Sequence, residues 1–330
     1  MKIALFGAGR IGQLHGRLLS AQPGIDTITV HDVDEARARA RAAELGGRAA
    51  SSVADALVGA DAVVVAASTD AHAALVRAGI AAGLPVFVEK PLAFDLAETA
   101  SLVELAESAE AVVQVGFQRR FDPAYREARR LVEHGELGTV YLVRLIAHDH
   151  EPPPDAYIPT SGGLFRDSSI HDFDILRWVT GQEVEEVYAT GSVRNFPVFA
   201  QHDDIDTGAV ILTLADGTLG LLGQTRQDPL GYDIRMEVMG SKDAVAVGVD
   251  GRTPLRSLEP AAVPLPGPAW STFLTRFETA YTAEILAFVA VARGEIASPC
   301  TVRDGLQAMR IAIAAGVSRR EHRPVRLSEI

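Results

Sequence analysis

The chain has 330 residues, of which 31 are basic and 43 are acidic, so its formal net charge is −12. This acidic balance does not suit the backbone of a nucleic acid, and a single cysteine can form neither an internal disulfide nor a cysteine-ligated metal cluster. The longest apolar stretches, residues 62–67 and 285–292, are far shorter than the roughly 20 residues that cross a bilayer. We therefore expect a cytoplasmic protein of about two domains.

The first third of the chain alternates short apolar runs with helix-forming segments. The runs that we predict as strands cover residues 2–6, 27–31, 62–66, 85–88 and 111–117. The segments that we predict as helices cover residues 10–20, 34–45, 71–82 and 96–109. Three consecutive valines at 63–65 favour a strand that is buried on both faces. Alternation of this kind is typical of a parallel sheet with helices on both faces.

After residue 117 the pattern changes to several strands that follow one another through short turns. Predicted strands cover residues 140–147, 186–193, 209–214, 218–224, 235–239 and 244–249, and predicted helices cover 123–134, 168–178, 272–293 and 303–320. Consecutive strands with short turns indicate a largely antiparallel sheet. We therefore predict an α/β protein with a Rossmann domain at 1–118 and an α+β domain with a large, mostly antiparallel sheet at 119–330.

A glycine-rich turn, Gly7-Ala8-Gly9-Arg10-Ile11-Gly12, lies between the first predicted strand and the first predicted helix. In such a turn the first glycine allows a tight bend, the second lets the backbone approach a pyrophosphate, and the third lets helix and strand pack closely. The N-terminus of the helix then offers backbone N–H groups and a partial positive charge to the phosphates. In this position the motif predicts a dinucleotide site.

Asp32 ends the second predicted strand, 20 residues after Gly12. A carboxylate at this position can accept hydrogen bonds from the ribose hydroxyls of the adenosine half, and it repels a 2′-phosphate. Asp32 therefore favours NAD over NADP. Arg37 lies about one helical turn further along and could serve a 2′-phosphate, although a solvated helix arginine is the simpler interpretation.

Lys90 belongs to the string Glu89-Lys90-Pro91, which follows the predicted strand 85–88. The residue therefore sits at the carboxyl edge of the sheet, where ligands of such folds bind. A lysine there can hydrogen-bond a substrate hydroxyl and stabilise negative charge that develops on its oxygen. Taken alone, however, a lysine is more typical of a solvated surface position.

Asp167 and His171 are four residues apart, so that on one helix they would share a face. A carboxylate that orients an imidazole is a general acid–base arrangement, and histidine titrates in a suitable pH range. Asp167 could equally cap a helix, with His171 as a hydrogen-bonded histidine of the interior. The pair by itself leaves both interpretations open.

In chain order, these motifs resemble the glucose–fructose oxidoreductase / inositol dehydrogenase family, known as Gfo/Idh/MocA, over nearly the whole chain. The resemblance rests on the glycine-rich turn, Asp32, Glu89-Lys90-Pro91, residues 116–122 and residues 163–178. Within the family the likeness is closest to inositol 2-dehydrogenases, which carry similar strings at 165–174, 231–233 and 240–242.

The resemblance implies an NAD-dependent oxidoreductase that converts a secondary hydroxyl of a cyclic polyol to a ketone. It implies that Lys90 binds the reacting hydroxyl, that His171 is the general base and that Asp167 orients His171. The residues that fall at the family's cofactor contacts are Gly7, Gly9, Arg10, Ile11, Gly12, Asp32, Ser68, Thr69, His72, Glu89 and Lys90. The residues that fall at its polyol contacts are Gln118, Arg119, His148, His150, Ser168 and Tyr232.

Two segments depart from the closest members of the family. Residues 225–230 read Thr-Arg-Gln-Asp-Pro-Leu and residues 148–151 read His-Asp-His-Glu. We expect both to line the substrate pocket, so they leave the identity of the polyol open. The alternatives are a dehydrogenase of another sugar or anhydrosugar, a hydrolase or isomerase that retains NAD, and a non-catalytic dinucleotide sensor. The intact set of Lys90, Asp167 and His171 speaks against the sensor.

The expected partners follow from the same observations. The histidines and acids at 148–151 and 202–204 match no common zinc spacing, so we predict no metal. We expect a small cyclic polyol or sugar as substrate and neither a nucleic acid nor a membrane as partner. An apolar face of the second sheet would be covered by another copy of the chain, so we expect a homo-oligomer, a dimer or a tetramer as in relatives.

Overall fold

The computed structural model describes residues 1–259 and 267–330, which fall into two compact units. The first unit contains Met1–Gln118 and Tyr281–Gln307, and the second contains Arg119–Ala280 and Ala308–Ile330. The first break in the chain coincides with the predicted boundary, whereas the sequence pattern placed Tyr281–Gln307 in the second domain. The division into functional domains at 1–118 and 119–330 stays a prediction.

The first unit is built on a six-stranded sheet with the order β3-β2-β1-β4-β5-β6, in which every pair is parallel. Its strands are β1 (Lys2–Phe6), β2 (Thr27–His31), β3 (Arg48–Ala49), β4 (Ala62–Val65), β5 (Val86–Glu89) and β6 (Val113–Gly116). Its first five helices are α1 (Arg10–Ser20), α2 (Glu35–Glu44), α3 (Val53–Leu57), α4 (Thr69–Ala81) and α5 (Leu96–Ser108). The predicted parallel sheet is confirmed.

The strand order reverses between β1 and β4, which pair with each other at the centre of this sheet. All four residues of β4 are fully buried, as expected for an apolar strand with both faces covered. In open parallel sheets the loops at the carboxyl ends of the strands beside such a reversal bind ligands. The fold therefore places the glycine-rich turn after β1 and the loop after β4 at this edge.

The second unit is built on a seven-stranded sheet with the order β12-β11-β7-β10-β9-β8-β13. Its strands are β7 (Val140–His148), β8 (Val184–Ser192), β9 (Thr207–Leu214), β10 (Leu219–Thr225), β11 (Asp233–Gly240), β12 (Ala244–Val247) and β13 (Val325–Arg326). Among the described residues the pair β7–β10 is parallel and the other pairs are antiparallel, so the predicted mostly antiparallel sheet is confirmed.

The remaining helices are α6 (Pro123–Glu133), α7 (Ile158–Ser161), α8 (Leu164–Asp167), α9 (Ile170–Thr180), α10 (Phe273–Arg276), α11 (Glu278–Ala292) and α12 (Val302–Glu321). The helix predicted at 168–178 begins at Ile170, and Asp167 ends the separate helix α8. Asp167 and His171 therefore do not lie on one continuous helix. The helix predicted at 272–293 is likewise divided into α10 and α11.

Helix α11 explains why the first unit includes a late segment of the chain. Ile285, Phe288 and Val289 are buried in the same hydrophobic core as the residues of β1, β2 and β4. The first unit therefore buries apolar surface that the Rossmann segment alone would leave exposed. Within the described residues, none of the helices is both long enough and apolar enough to cross a bilayer.

Candidate active site

The glycine-rich turn between β1 and α1 has the geometry that its sequence predicts. Gly7 has a φ of +96°, and a Cβ added there would lie 2.4 Å from the carbonyl oxygen of Ala66. A Cβ at Gly12 would lie 2.0 Å from the carbonyl oxygen of Gly7. The first and third glycines are therefore required by the fold itself, since both distances are far shorter than van der Waals contact.

Gly9 differs from the other two glycines. It is the N-cap of α1, with a φ of −71° and a ψ of −164° that other residues also adopt. A Cβ at Gly9 would meet no atom within 4 Å. The turn is thus open beside the first residues of the helix, Arg10, Ile11 and Gly12. An open space at a helix N-terminus is suited to a pyrophosphate, so this turn fits the phosphates of a dinucleotide.

The Asp32 carboxylate is fixed against this turn. It accepts a hydrogen bond from the Ala8 backbone N–H at 2.7 Å and another from the Asp34 N–H at 2.9 Å, and the side chain is almost fully buried. Each oxygen has a second lone pair that can accept from a ribose hydroxyl. The Arg37 side chain is 52% exposed, in keeping with a solvated helix arginine, and its Nη1 lies 3.9 Å from Asp32 Oδ1 and its Nη2 3.3 Å from Asp34 Oδ2.

The segment after β4 carries three residues predicted to contact the cofactor. Ser68 is the N-cap of α4, Thr69 is the first residue of that helix, and His72 lies in its first turn. The buried His72 ring has Nδ1 2.8 Å from the Pro91 carbonyl oxygen and Nε2 3.2 Å from that of Ala67. Burial lowers the pKa of His72 below its ordinary value, although the two carbonyls act in the opposite direction. His72 thus links the loops that follow β4 and β5.

Lys90 follows β5 directly, and its peptide bond to Pro91 is cis. Its backbone N–H donates to Glu89 Oε2 at 3.2 Å. The other Glu89 oxygen lies 2.7 Å from Nε2 of His15, a residue of α1. The Glu89 carboxylate, predicted to contact the cofactor, is therefore engaged with His15 and with the Lys90 backbone.

In the second unit, two buried ion pairs connect the segment after Gln118 to α9. Arg119 Nη1 lies 2.5 Å from Asp172 Oδ1, and Arg120 forms a two-pronged pair with Asp174 at 2.8 and 2.5 Å. Burial alone would lower the pKa of Arg119, but the Asp172 carboxylate raises it above its ordinary value. Helix α9, which carries His171, is held in place by these pairs. Gln118, the last residue of the first unit's opening segment, is buried.

Asp167 lies among polar partners that sequence reasoning did not assign. Tyr157 donates its hydroxyl to Asp167 Oδ1 at 2.9 Å, and Arg226 Nη2 lies 2.9 Å from Asp167 Oδ2. Arg226 is buried, and its Nη1 is 3.4 Å from Asp149 Oδ2. Burial alone would lower the pKa of Arg226, but Asp167 and Asp149 raise it. Asp167 lies three residues before α9, the helix that carries His171. Its carboxylate is thus oriented by the permanently charged guanidinium of Arg226.

Ser168 and the two predicted histidines contact residues of strand β10 and of the loop that follows it. Gln224 of β10 donates to Ser168 Oγ at 2.6 Å. His148, the last residue of β7, has Nδ1 3.7 Å from Asp228 Oδ2, and His150 Nδ1 lies 3.1 Å from the Asp228 carbonyl oxygen. Asp228 therefore contacts both histidines, and it belongs to the segment that departs from the closest family members.

Tyr232 is buried directly before β11. Burial raises the pKa of its hydroxyl well above the ordinary value, and burial raises that of Tyr125 to about 12. Tyr232 is therefore a neutral hydroxyl that can both donate and accept hydrogen bonds.

His148, Asp228 and Asp233 also bring potential metal-ligand atoms within 4.8 Å of one another, but Asp233 is already paired with Arg235 at 2.8 Å. The expected absence of a metal stays a prediction.

Sequence reasoning assigned no individual role to Arg226, Asp149 or Tyr157, although Arg226 and Asp149 lie in the two segments that we expected to line the substrate pocket. One sequence signal could have linked two of them: Asp149 directly follows β7 and Arg226 directly follows β10, so each lies where a strand ends. The sequence predicted an antiparallel sheet, in which these ends would not have to coincide. Because β7 and β10 are parallel, both residues emerge at the same edge.

Comparisons with known proteins identify the family. Residues 1–117 match the "oxidoreductase family, NAD-binding Rossmann fold", and residues 125–246 match the "GFO/IDH/MocA C-terminal domain". The chain belongs to the Gfo/Idh/MocA family of oxidoreductases. Its Rossmann segment is the NAD-binding part of a family enzyme, which confirms the predicted family and cofactor.

Individual relatives of this Gfo/Idh/MocA protein span almost its full length. It is 40% identical to the myo-inositol dehydrogenase Hyg17 of Streptomyces leeuwenhoekii, over 96% of each chain. The crystal structure of a myo-inositol dehydrogenase from Corynebacterium glutamicum matches with a TM-score of 0.90 and 32% identity over 99% of this chain and 98% of that one. A scyllo-inositol dehydrogenase from Lactobacillus casei, crystallised with NAD(H) and scyllo-inositol, matches with a TM-score of 0.87 and 28% identity over 99% of each chain.

Proposed function

We propose that this protein is an inositol 2-dehydrogenase-like enzyme, which oxidises one secondary hydroxyl of a cyclic polyol to a ketone with NAD. The observation that carries the proposal is its similarity, over 96% of the chain, to a myo-inositol dehydrogenase. The open turn at Gly9 and the oriented Asp32 carboxylate support the choice of NAD as the cofactor.

The proposed chemistry divides the work between a hydride acceptor and protein side chains. NAD, when bound, accepts the hydride that leaves the reacting carbon. His171 takes the proton of the reacting hydroxyl as general base, and Asp167 orients the imidazole. Lys90 donates a hydrogen bond to the same oxygen and stabilises the negative charge that develops there. Arg226 and Tyr157 support this arrangement because they hold the Asp167 carboxylate in one orientation.

The polyol hydroxyls that do not react need both hydrogen-bond donors and hydrogen-bond acceptors as partners. We assign this role to the predicted contact residues Gln118, Arg119, His148, His150, Ser168 and Tyr232. Ser168 and Tyr232 can donate and accept, whereas Arg119 can only donate. A site that hydrogen-bonds several substrate hydroxyls discriminates strongly between stereoisomers, because a misplaced hydroxyl leaves buried polar groups unpaired.

A substrate panel tests this function directly. The purified protein is mixed with NAD or NADP and, in separate reactions, with myo-inositol, scyllo-inositol, other inositols, glucose and an anhydrosugar. The formation of NADH or NADPH is followed by absorbance. We expect the highest kcat/KM for an inositol with NAD. A clear preference for glucose or an anhydrosugar would contradict the inositol assignment. Substrate consumption without NADH release would indicate a hydrolase or isomerase, and binding of NAD without turnover of any substrate would indicate a sensor.

One observation favours an alternative substrate, another polyol or a sugar, for the same oxidation reaction. Asp228 contacts both His148 and His150, and the segment that contains it differs from the closest family members. The Asp228→Ser variant, measured on the same panel, shows whether this residue selects the substrate. If Asp228 does so, the ratio of kcat/KM values between two polyols shifts in this variant; an unchanged ratio would remove Asp228 from the specificity site.

We propose that the exposed face of the second sheet mediates homo-oligomer formation. Tyr188, Ile211 and Leu221 are directly paired across β8, β9 and β10, and each has more than a third of its surface exposed. Leu219 continues this face and is also exposed. A row of exposed apolar side chains on a sheet is typical of an interaction surface. We expect Ile211→Lys to convert a dimer or tetramer to a smaller species in light scattering, whereas a monomeric wild-type protein at micromolar concentration would contradict this proposal.

A further inference from the structure

Two buried titratable side chains meet a third, mostly buried one in the first unit, beside the strand end that leads to Lys90. They are His15 of α1, Glu89 of β5 and Glu284 of α11, and we call them the Glu284 cluster. One ring nitrogen of His15 and one carboxylate oxygen of each glutamate lie within 4.8 Å of one another. His15 and Glu284 are fully buried, and the Glu89 side chain is 13% exposed. The proposed chemistry uses neither His15 nor Glu284.

Hydrogen bonding within the cluster is incomplete. Glu89 is bonded through both oxygens, to His15 Nε2 at 2.7 Å and to the Lys90 backbone N–H at 3.2 Å. Within the part of the chain that the structure describes, His15 Nδ1 and both carboxylate oxygens of Glu284 have no hydrogen-bond partner. A buried N–H is costly when it has no acceptor, so Nε2 is the His15 nitrogen whose N–H fits this site, and it donates to Glu89.

Within the part of the chain that the structure describes, the charged group that acts on Glu284 is Glu89, and its charge is negative. The His15 ring packs edge-on against Phe87 and Tyr281, at 5.0 and 6.0 Å between ring centroids. Gln114 donates to the backbone carbonyl of Glu284 at 3.2 Å rather than to its carboxylate. The titratable groups known to lie beside Glu284 are thus Glu89 and His15.

Two carboxylates that share an apolar site cannot both ionise without a large cost. Burial, and then the charge of Glu89, raise the pKa of Glu284 well above its ordinary value. Both Glu89 oxygens already have a hydrogen-bond partner, whereas neither Glu284 oxygen has one among the described residues. The proton of the pair therefore resides on Glu284, whose carboxyl group lies close enough to that of Glu89 for one water to bridge them.

We propose that Glu284 is a neutral carboxylic acid beside the Glu89 carboxylate, and that the Glu284 cluster is a positioning device for Lys90. Glu284 and His15 fix the Glu89 carboxylate, which in turn holds the Lys90 backbone N–H. His15 belongs to the helix that begins at the glycine-rich turn, so the cluster also connects that helix to the end of β5. The positioning part of this inference rests on the proposed function; the neutral acid does not.

The neutral acid is tested by the pH dependence of unfolding, which requires no substrate. Unfolded wild-type protein releases the Glu284 proton near the ordinary pKa of 4.5, whereas the folded protein retains it to a higher pH. Glu284→Gln has no such proton. From about pH 5 upwards, the unfolding equilibrium constant of the wild type should therefore rise relative to that of the variant, by up to roughly tenfold per pH unit.

A matched control for this measurement is Glu295→Gln, because Glu295 is an exposed glutamate of the same segment of the first unit. Its urea unfolding curves should follow those of the wild type at every pH. Parallel pH curves for the wild type and Glu284→Gln would overturn the neutral acid. A stoichiometric divalent metal in the purified wild type that is lost in Glu284→Gln would overturn it too, because a cation would then balance the carboxylates.

The positioning role is tested by turnover in four variants on whichever polyol of the panel is oxidised. Glu284→Gln replaces the O–H donor with an N–H donor and should retain kcat within about threefold. The apolar Glu284→Met removes the donor and should lose about tenfold in kcat with little change in the KM of the polyol. In a Glu89→Gln background the difference between the two Glu284 variants should fall below about twofold. Equal differences in both backgrounds would overturn the positioning role.

These outcomes separate the inference from the proposed function. If no polyol is oxidised but the pH-dependent gap in unfolding remains, the proposed function and the positioning role fail and the neutral Glu284 stands. If polyols are oxidised and the pH curves are parallel, the function stands and the neutral acid is overturned.

Discussion

The glycine-rich turn of the first unit and the Asp167 segment of the second are held in place in different ways. The turn is specified by backbone conformation, because Gly7 has a positive φ and Gly12 packs against the Gly7 carbonyl. The Asp167 segment is specified by side chains, because Arg226 and Tyr157 hold its carboxylate. The first region is a local motif, and the second depends on Arg226, which directly follows strand β10.

This difference decides how each region responds to change. A glycine turn tolerates substitution only where the added atom meets open space. A buried charge network instead responds to the loss of one partner, because the other charge keeps its desolvation cost. The variants below test this distinction, beginning with the largest expected effect.

Removal of a buried arginine from the second unit should cause the largest loss. Arg120→Met removes both hydrogen bonds to the Asp174 carboxylate, and we expect the free energy of unfolding to fall by about 3–5 kcal/mol in urea titrations. Arg326→Met, at an exposed pair with Glu186, should cost less than about 1 kcal/mol. If the double variant Arg120→Met/Asp174→Leu is not more stable than Arg120→Met, the loss does not arise from the uncompensated carboxylate.

Replacement of the proposed catalytic lysine should lower turnover without a comparable loss of stability. We expect Lys90→Ala to reduce kcat by roughly 10²-fold or more, because a hydrogen-bond donor at a developing oxyanion contributes several kcal/mol. Steady-state kinetics on the preferred polyol measure this, with thermal unfolding as a check on folding. Normal turnover in Lys90→Ala would remove it from the mechanism.

The turn offers a matched pair of glycine variants. In Gly9→Ala the added methyl enters the space assigned to the pyrophosphate, so we expect NAD affinity to fall about tenfold while stability changes by less than about 1 kcal/mol. In Gly12→Ala the methyl meets the Gly7 carbonyl, so we expect a loss of about 1–3 kcal/mol in stability. Calorimetric titration of NAD and urea unfolding distinguish the two. The reverse pattern would show that the open space at Gly9 is not the phosphate site.

The smallest effect is expected for cofactor choice. Asp32→Ala removes the carboxylate that would repel a 2′-phosphate and leaves Arg37 nearby, so the ratio of kcat/KM values for NAD and NADP should fall about tenfold or less. Asp32→Asn keeps one acceptor for the Ala8 N–H and controls for damage to the turn. An unchanged ratio in both variants would contradict the assignment of Asp32 to the ribose.

The sequence predicted the parts of the site whose signal is local. The glycines, Asp32 and the Glu89-Lys90-Pro91 string could be placed because each follows a recognisable strand of a parallel sheet. The role of Glu89 could not be predicted in this way, since its partner His15 lies 74 positions earlier in the chain. In the sequence, Arg226 is marked only as part of a departure from the family pattern. Its contact with Asp167 could not be predicted, because it depends on the parallel pairing of β7 with β10 in an otherwise antiparallel sheet.

By itself the sequence determined the two fold types, the dinucleotide site and the family, because these depend on periodicity and on motifs of a few residues. The tertiary structure decided which charges are buried and what compensates them. It separated Asp167 from the helix of His171, returned Tyr281–Gln307 to the first unit, and brought Glu284 to Glu89 across almost 200 positions of sequence. Burial depends on how distant segments pack, and the residue pattern of each segment alone does not contain that information.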